Sequence, residues 1–115
     1  MVGQWKKVPA RFYQAPGGRE PVRDWLKSLP AEDRKTVGVD IQKVEYGLPL
    51  QLPYCRSLGQ GLWEVRSSLA SNRIARVIFT IVGGEMVLLH GFIKKSQKTP
   101  RHDLLLAQQR RKEVI

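Results

Sequence analysis

Two apolar runs, residues 73–82 and 85–93, meet at Gly83 and Gly84, and no other part of the chain restricts its fold as tightly. β-Branched and aromatic residues dominate both runs, which predicts strands. A Gly-Gly pair tolerates positive φ at both central positions of a two-residue hairpin turn. The preceding run, LWEVRSSL at 62–69, has the same character, so the region predicts three successive strands. Counting back from Val82 opposite Glu85 sets Arg76 against Gly91, Val77 against His90 and Ile78 against Leu89.

Alternation then assigns faces. Ala75, Val77, Phe79 and Ile81 share an apolar face with Met86, Leu88, His90 and Phe92. The other face takes Ile74, Arg76, Ile78 and Thr80 with Val87, Leu89, Gly91 and Ile93. A five-residue connection over 69–73 places Arg66 of the preceding strand beside Arg76. Two guanidinium groups over a glycine form a positive pocket with open space in front. Like charges at cross-strand positions destabilise a sheet. Either an anion from outside compensates them, or Glu64 and Glu85, the nearest acids in sequence, neutralise them internally.

The charge balance favours an outside anion. Twenty basic against ten acidic residues among 115 give +10, with a pI near 10.3, the signature of a polyanion partner. The excess lies at the ends: four basic and no acidic residues in 1–19, and seven against two in 94–115. Residues 20–45 hold five basic and six acidic groups, so the middle is nearly neutral. A chain of this length predicts a single domain, 1–115, able to bury its own core. Cys55 is the one cysteine and the two histidines stand apart, so neither a disulfide framework nor a zinc spacing is present and no cofactor is implied. The N-terminal stretch has no apolar signal-like region and no apolar run reaches membrane-spanning length, which predicts a soluble protein of the reducing cytosol.

Ahead of the strands, residues 8–15 have strand composition, and Pro9 confines them to a sheet edge. Pro21 suits a first helical turn, and Val22, Trp25, Leu26 and Leu29 form one apolar face, with Trp25 in the core. Pro30 separates a second helix whose stripe is Val37, Ile41, Val44 and Leu48. Residues 49–61 read as irregular, ending in the turn Gly59-Gln60-Gly61. After the strands, Thr99 caps a final helix with Pro100 at its first position and with Leu104, Leu105 and Ala107 inward. Arg110, Arg111 and Lys112 crowd that helix's end; they serve either the macrodipole or contact with RNA or a partner. The order β-α-α-β-β-β-α predicts an α+β domain, a small antiparallel sheet with an N-terminal αα-hairpin and a C-terminal helix.

Several motifs in combination resemble one known family. Gly18-Arg19-Glu20-Pro21-Val22 with Trp25-Leu26, Leu62-Trp63-Glu64-Val65-Arg66, Arg76-Val77, and Leu88-Leu89-His90-Gly91-Phe92 with Lys94-Lys95, Gln97-Lys98 and Thr99-Pro100 resemble the phage-derived HigB-like branch of the RelE/ParE toxin superfamily. The resemblance implies a RelE-like fold and the toxin half of a type II toxin–antitoxin pair. It further implies metal-independent endoribonucleolytic cleavage of mRNA, commonly on the ribosome, and an antitoxin partner, often with a helix-turn-helix domain.

Such cleavage deprotonates a 2′-OH, attacks the adjacent phosphate, stabilises a phosphorane and protonates the leaving 5′ oxygen. Arginine's fork suits the non-bridging oxygens, and Arg66 and Arg76 match the family's paired basic residues. Lys94, Lys95 and Lys98 follow the last strand, where the family keeps further basic groups; each serves either catalysis or backbone binding. Arg73, Arg101, Arg110 and Arg111 join Lys98 as candidates for binding the nucleic acid. Related enzymes use a tyrosine or histidine near the C-terminus for proton transfer, and here no tyrosine follows Tyr54. His102, close to the lysines, is the candidate acid or base, whereas parity turns His90 toward the core. Two other readings compete: a basic nucleic-acid-binding module without catalysis, and a gyrase inhibitor of the ParE type.

Overall fold

The computed structural model describes residues 6–47, 55–94 and 98–115. Strand β1 (Ala10–Phe12) leads into helices α1 (Pro21–Ser28) and α2 (Ala31–Glu45). Strands β2 (Cys55–Gly59), β3 (Leu62–Ser68), β4 (Ile74–Val82) and β5 (Glu85–Lys94) follow, and helix α3 (Arg101–Lys112) ends the chain. The sheet runs β1-β5-β4-β3-β2, antiparallel except that β1 lies parallel to β5. Pro9 precedes an edge strand, as its missing N–H requires. The expected α+β architecture is present, with one strand more than the sequence suggested.

That extra strand, β2, falls in the stretch read as irregular. Cys55-Arg56-Ser57-Leu58-Gly59 contains no β-branched residue, so local propensity gives no strand signal. Its pairing with β3 across Gly59-Gln60-Gly61, all three at positive φ, supplies the order instead. The predicted stripe position Leu48 and residues 49–54 of the stretch read as irregular lie outside the described residues.

Both faces of the sheet are covered, because both carry apolar residues. On one, Val22, Val37, Ile41 and Val44 of the helical pair pack on Val65, Val77, Phe79, Met86 and Leu88. Trp25 also lies here, against Gly91, where a Cβ would overlap its six-membered ring. On the other face α3 lays Ala107 and Leu104 on Leu62, Ile78, Val87 and Leu89. Leu105, expected inward, is half exposed on the outer side of α3. Among the described residues no helix is long and apolar enough to cross a membrane.

The hairpin register departs from simple counting at one point. Val82 does face Glu85, but pairing passes from Phe79–Leu88 directly to Ile78–His90, leaving Leu89 as an extra residue. This bulge shifts the rest of β5 by one. Arg76 therefore opposes Phe92 and not Gly91, Val77 opposes Gly91, and Ile78 opposes His90. Beyond the bulge His90, Phe92 and Lys94 share the α3 face, while Gly91 and Ile93 turn to the helical pair.

Cys55, opposite Val65, has no exposed surface. Burial, with Glu64 nearby as a smaller cause, pushes its thiol from 9.0 up to about 11, against a backbone N–H that lowers it. The folded state holds this proton more tightly than the unfolded chain. The associated stability is thus complete below about pH 9 and is lost as pH rises toward 11. At 1.36 kcal/mol per unit the loss is about 2–3 kcal/mol. Denaturant titrations at successive pH values should show the gap between wild type and Cys55→Ala shrinking by that amount across this range. A gap that stays constant to pH 11 would refute the assignment.

Candidate functional site

Next to the segment that leads into α3, on the α3 face of the sheet, stand two of the predicted arginines, Arg66 of β3 and Arg76 of β4. The 69–73 connection has the expected length, with Ser68 opposite Ile74, so Arg66 stands directly beside Arg76. The two differ in exposure. Arg66 is half-buried, whereas Arg76 is 0% exposed.

What encloses Arg76 is an internal acid and a hydroxyl. Glu64, also 0% exposed, places Oε2 3.8 Å from Arg76 Nη1. Thr99 Oγ1 stands between them, accepting from Arg76 Nη1 at 3.1 Å and donating to Glu64 Oε2 at 2.5 Å. Arg56 closes the node, donating from Nε to Glu64 Oε1 at 3.1 Å and from Nη2 to Thr99 Oγ1 at 3.4 Å. The expected pocket, open in front of both guanidinium groups, is therefore half closed. Burial drives the Arg76 pKa down, Glu64 opposes this, and the charges of Arg66 and Arg56 add to the depression. An arginine nonetheless stays charged in a protein, so Arg76 and Arg56 share the Glu64 carboxylate with the Arg66 charge close by.

A second cluster lies at the start of α3. The bulge brings His90 to this face, where Nε2 lies 2.6 Å from Asp103 Oδ1 and its ring stacks on Phe92 with centroids 5.3 Å apart. Parity without the bulge had turned it the other way. His102 Nε2 lies 3.3 Å from Asp103 Oδ2, on a side chain that is 79% exposed. Lys94 ends β5 with its side chain exposed, and Lys98 and Arg101 are exposed on either side of Thr99 and Pro100. Lys95 lies outside the described residues. Among the described residues no group of three or more His, Cys, Asp or Glu side chains is placed to hold a metal ion.

The profile of a family described as "Phage derived protein Gp49-like (DUF891)" matches residues 24–112, more than three quarters of the chain. The chain belongs to the Gp49-like family. The Gp49-like family is of the toxin–antitoxin toxin type within the RelE/HigB-like superfamily, which suggests an antitoxin as partner. No curated protein matches this chain. The matched stretch runs from within α1 to the last residue of α3 and contains both clusters.

In this Gp49-like chain three of the basic residues expected to bind nucleic acid make internal bonds. Arg73 forks onto Asp33 of α2 at 2.8 and 3.2 Å and also bonds the Ala70 carbonyl, and that carboxylate raises its pKa. Arg110 donates to the carbonyl of the bulged Leu89 at 2.7 Å over the Tyr13 ring, with burial lowering its pKa. Arg111 bonds Thr80 Oγ1 at 3.1 Å and lies against Gly61, where a Cβ would not fit. Thr99 also departs from expectation: α3 begins at Arg101 without a side-chain cap, and the hydroxyl serves the arginine node instead.

Sequence reasoning did not find Arg56, Thr99 and Asp103 as members of these Gp49-like clusters, and it held Glu64 only as one of two alternatives. Arg56 sits on the strand that had no signal. Asp103 had one that could have been used, an acid among cations in a first helical turn.

Proposed function

We propose that this protein is an RNA-cleaving toxin of the HigB-like branch, acting on mRNA at the ribosome in the cytoplasm and held inactive by an antitoxin with a helix-turn-helix domain. The observation that carries the reading is the half-exposed Arg66 backed by Arg76, on the same sheet face as His90 and Lys94, with the exposed Lys98 and Arg101 flanking in sequence the Thr99 that bonds Arg76.

Arg66 is the group that meets the scissile phosphate, its fork matching two non-bridging oxygens. Arg76, Arg56 and Glu64 fix the sheet behind it and maintain a positive field as the phosphorane gains charge. Fixed charge aimed at developing charge is worth several kcal/mol in a water-poor site. Lys94, Lys98 and Arg101, with Lys95 between the first two in sequence, hold the flanking backbone. His102 moves a proton, within reach of solvent. The residues themselves supply the charge stabilisation and the proton transfer, so the proposed reaction is metal-independent.

Induction of the protein without its antitoxin, followed by mapping of transcript ends, tests this. Expected are mRNA fragments with 2′,3′-cyclic phosphate ends and arrested translation. Intact transcripts with salt-dependent RNA binding would instead identify a non-catalytic module. DNA damage with intact mRNA would identify a gyrase inhibitor. Either result overturns the proposal.

A further inference from the structure

Asp103 is 5% exposed and stands between two imidazoles, only one of which the reaction above employs. Its Oδ1 is bonded to His90 Nε2 at 2.6 Å. Its Oδ2 has no hydrogen-bond partner among the described residues, although His102 Nε2 lies 3.3 Å away. A buried carboxylate oxygen without a donor is costly, and a small turn of the exposed His102 ring would supply one. A carboxylate accepts and never donates when ionised, so it selects in each ring the form with hydrogen on Nε2 and leaves Nδ1 for exchange. Phe92 stacks on His90 and holds its plane.

We infer that His90, Asp103 and His102 act as one proton-transfer unit, with Asp103 the positioning residue for both rings. The inference rests on the RNA-cleavage reading and deepens it. One imidazole begins neutral and takes the proton of the 2′-OH as O2′ bonds to phosphorus. The P–O5′ bond breaks, and the other imidazole, beginning protonated, gives its proton to O5′. The products are a 2′,3′-cyclic phosphate and a 5′-OH, no water or redox partner is consumed, and the two rings end with their protonation states exchanged. Solvent at His102 restores them. The charged groups around the unit are Arg101 and Arg110 on α3, and Arg76 on β4 opposite Phe92, with Glu64 behind it.

The test is cleavage of programmed-ribosome mRNA against pH by wild type, His90→Gln, His102→Gln and Asp103→Asn. His102 is exposed, so its variant folds whatever His90 contributes to packing. A bell-shaped profile is expected for wild type, with one limb lost in each histidine variant. Asp103→Asn presents an amide donor to one ring, and on the pattern of other carboxylate–histidine pairs it should lower kcat at least about tenfold with KM little changed. Wild-type cleavage whose profile is the same in His102→Gln overturns this inference and leaves the toxin reading standing. A wild type that cleaves no message removes both.

Discussion

Glu64→Gln should be the most destabilising conservative change in the protein, costing about 3–5 kcal/mol, as removal of one partner from a buried ion pair does. Glutamine keeps the size of the side chain and an oxygen for Thr99 Oγ1, so the loss isolates the charge. Arg76, without solvent contact, would then lose the Glu64 charge while the charges of Arg66 and Arg56 remain beside it. Arg56 is one third exposed and can turn to water; Arg76 cannot. For a domain whose whole stability is on the order of 5–15 kcal/mol, the change should lower the melting temperature by about 10 °C or more. A melting point within a few degrees of wild type would show that Glu64 does not compensate Arg76. The double variant Glu64→Gln with Arg76→Met should regain much of the loss, because a buried ion pair and an apolar replacement are often of similar stability.

Arg66→Ala should have the largest effect on activity, a fall of about 10²–10³ in kcat, the range found when one preorganised charge stabiliser is removed. Arg66→Lys keeps the charge but loses the planar fork, and should still fall about tenfold or more. Because Arg66 is half-buried at the surface, both variants should melt close to wild type, which separates chemistry from folding. Arg76→Ala offers no such separation, since it empties a space in the core and leaves the buried Glu64 with Arg56 and Thr99 alone of the partners described above. Single-turnover cleavage of ribosome-bound message is the measurement. Arg66→Ala cutting within twofold of wild type would remove this residue from the reaction.

Periodicity carried most of the architecture. The helical pair, the long hairpin, the length of the 69–73 connection and the juxtaposition of Arg66 with Arg76 all follow from apolar spacing and turn residues. Three features lay beyond it, each for a physical reason. Strand β2 is specified by its neighbour and not by its own residues. The bulge at Leu89 is the last residue of the apolar stretch 86–89, and neither Leu88 nor His90 beside it signals an insertion. The burial of Arg76 depends on Thr99, more than twenty positions away, folding back over the sheet. Net charge was also a poor guide to which arginines face outward. Arg73, Arg110 and Arg111 are spent on Asp33, a bulged carbonyl and a hydroxyl, geometry that composition cannot report.

The single unmatched residue in β5 makes that strand serve two masters. Up to Leu89 its odd and even positions divide between the helix layers in the ordinary way; after it they trade sides, so an imidazole and a phenyl ring arrive where the guanidinium groups are. Deleting Leu89 would leave an unbroken ladder in which His90 follows Leu88 directly, so alternation alone would then hold His90 and Phe92 on the α3 face, with His90 against Asp103. A chain shortened by that one codon should keep the imidazole in place and give up only the apolar surface that the spare leucine adds beneath α3.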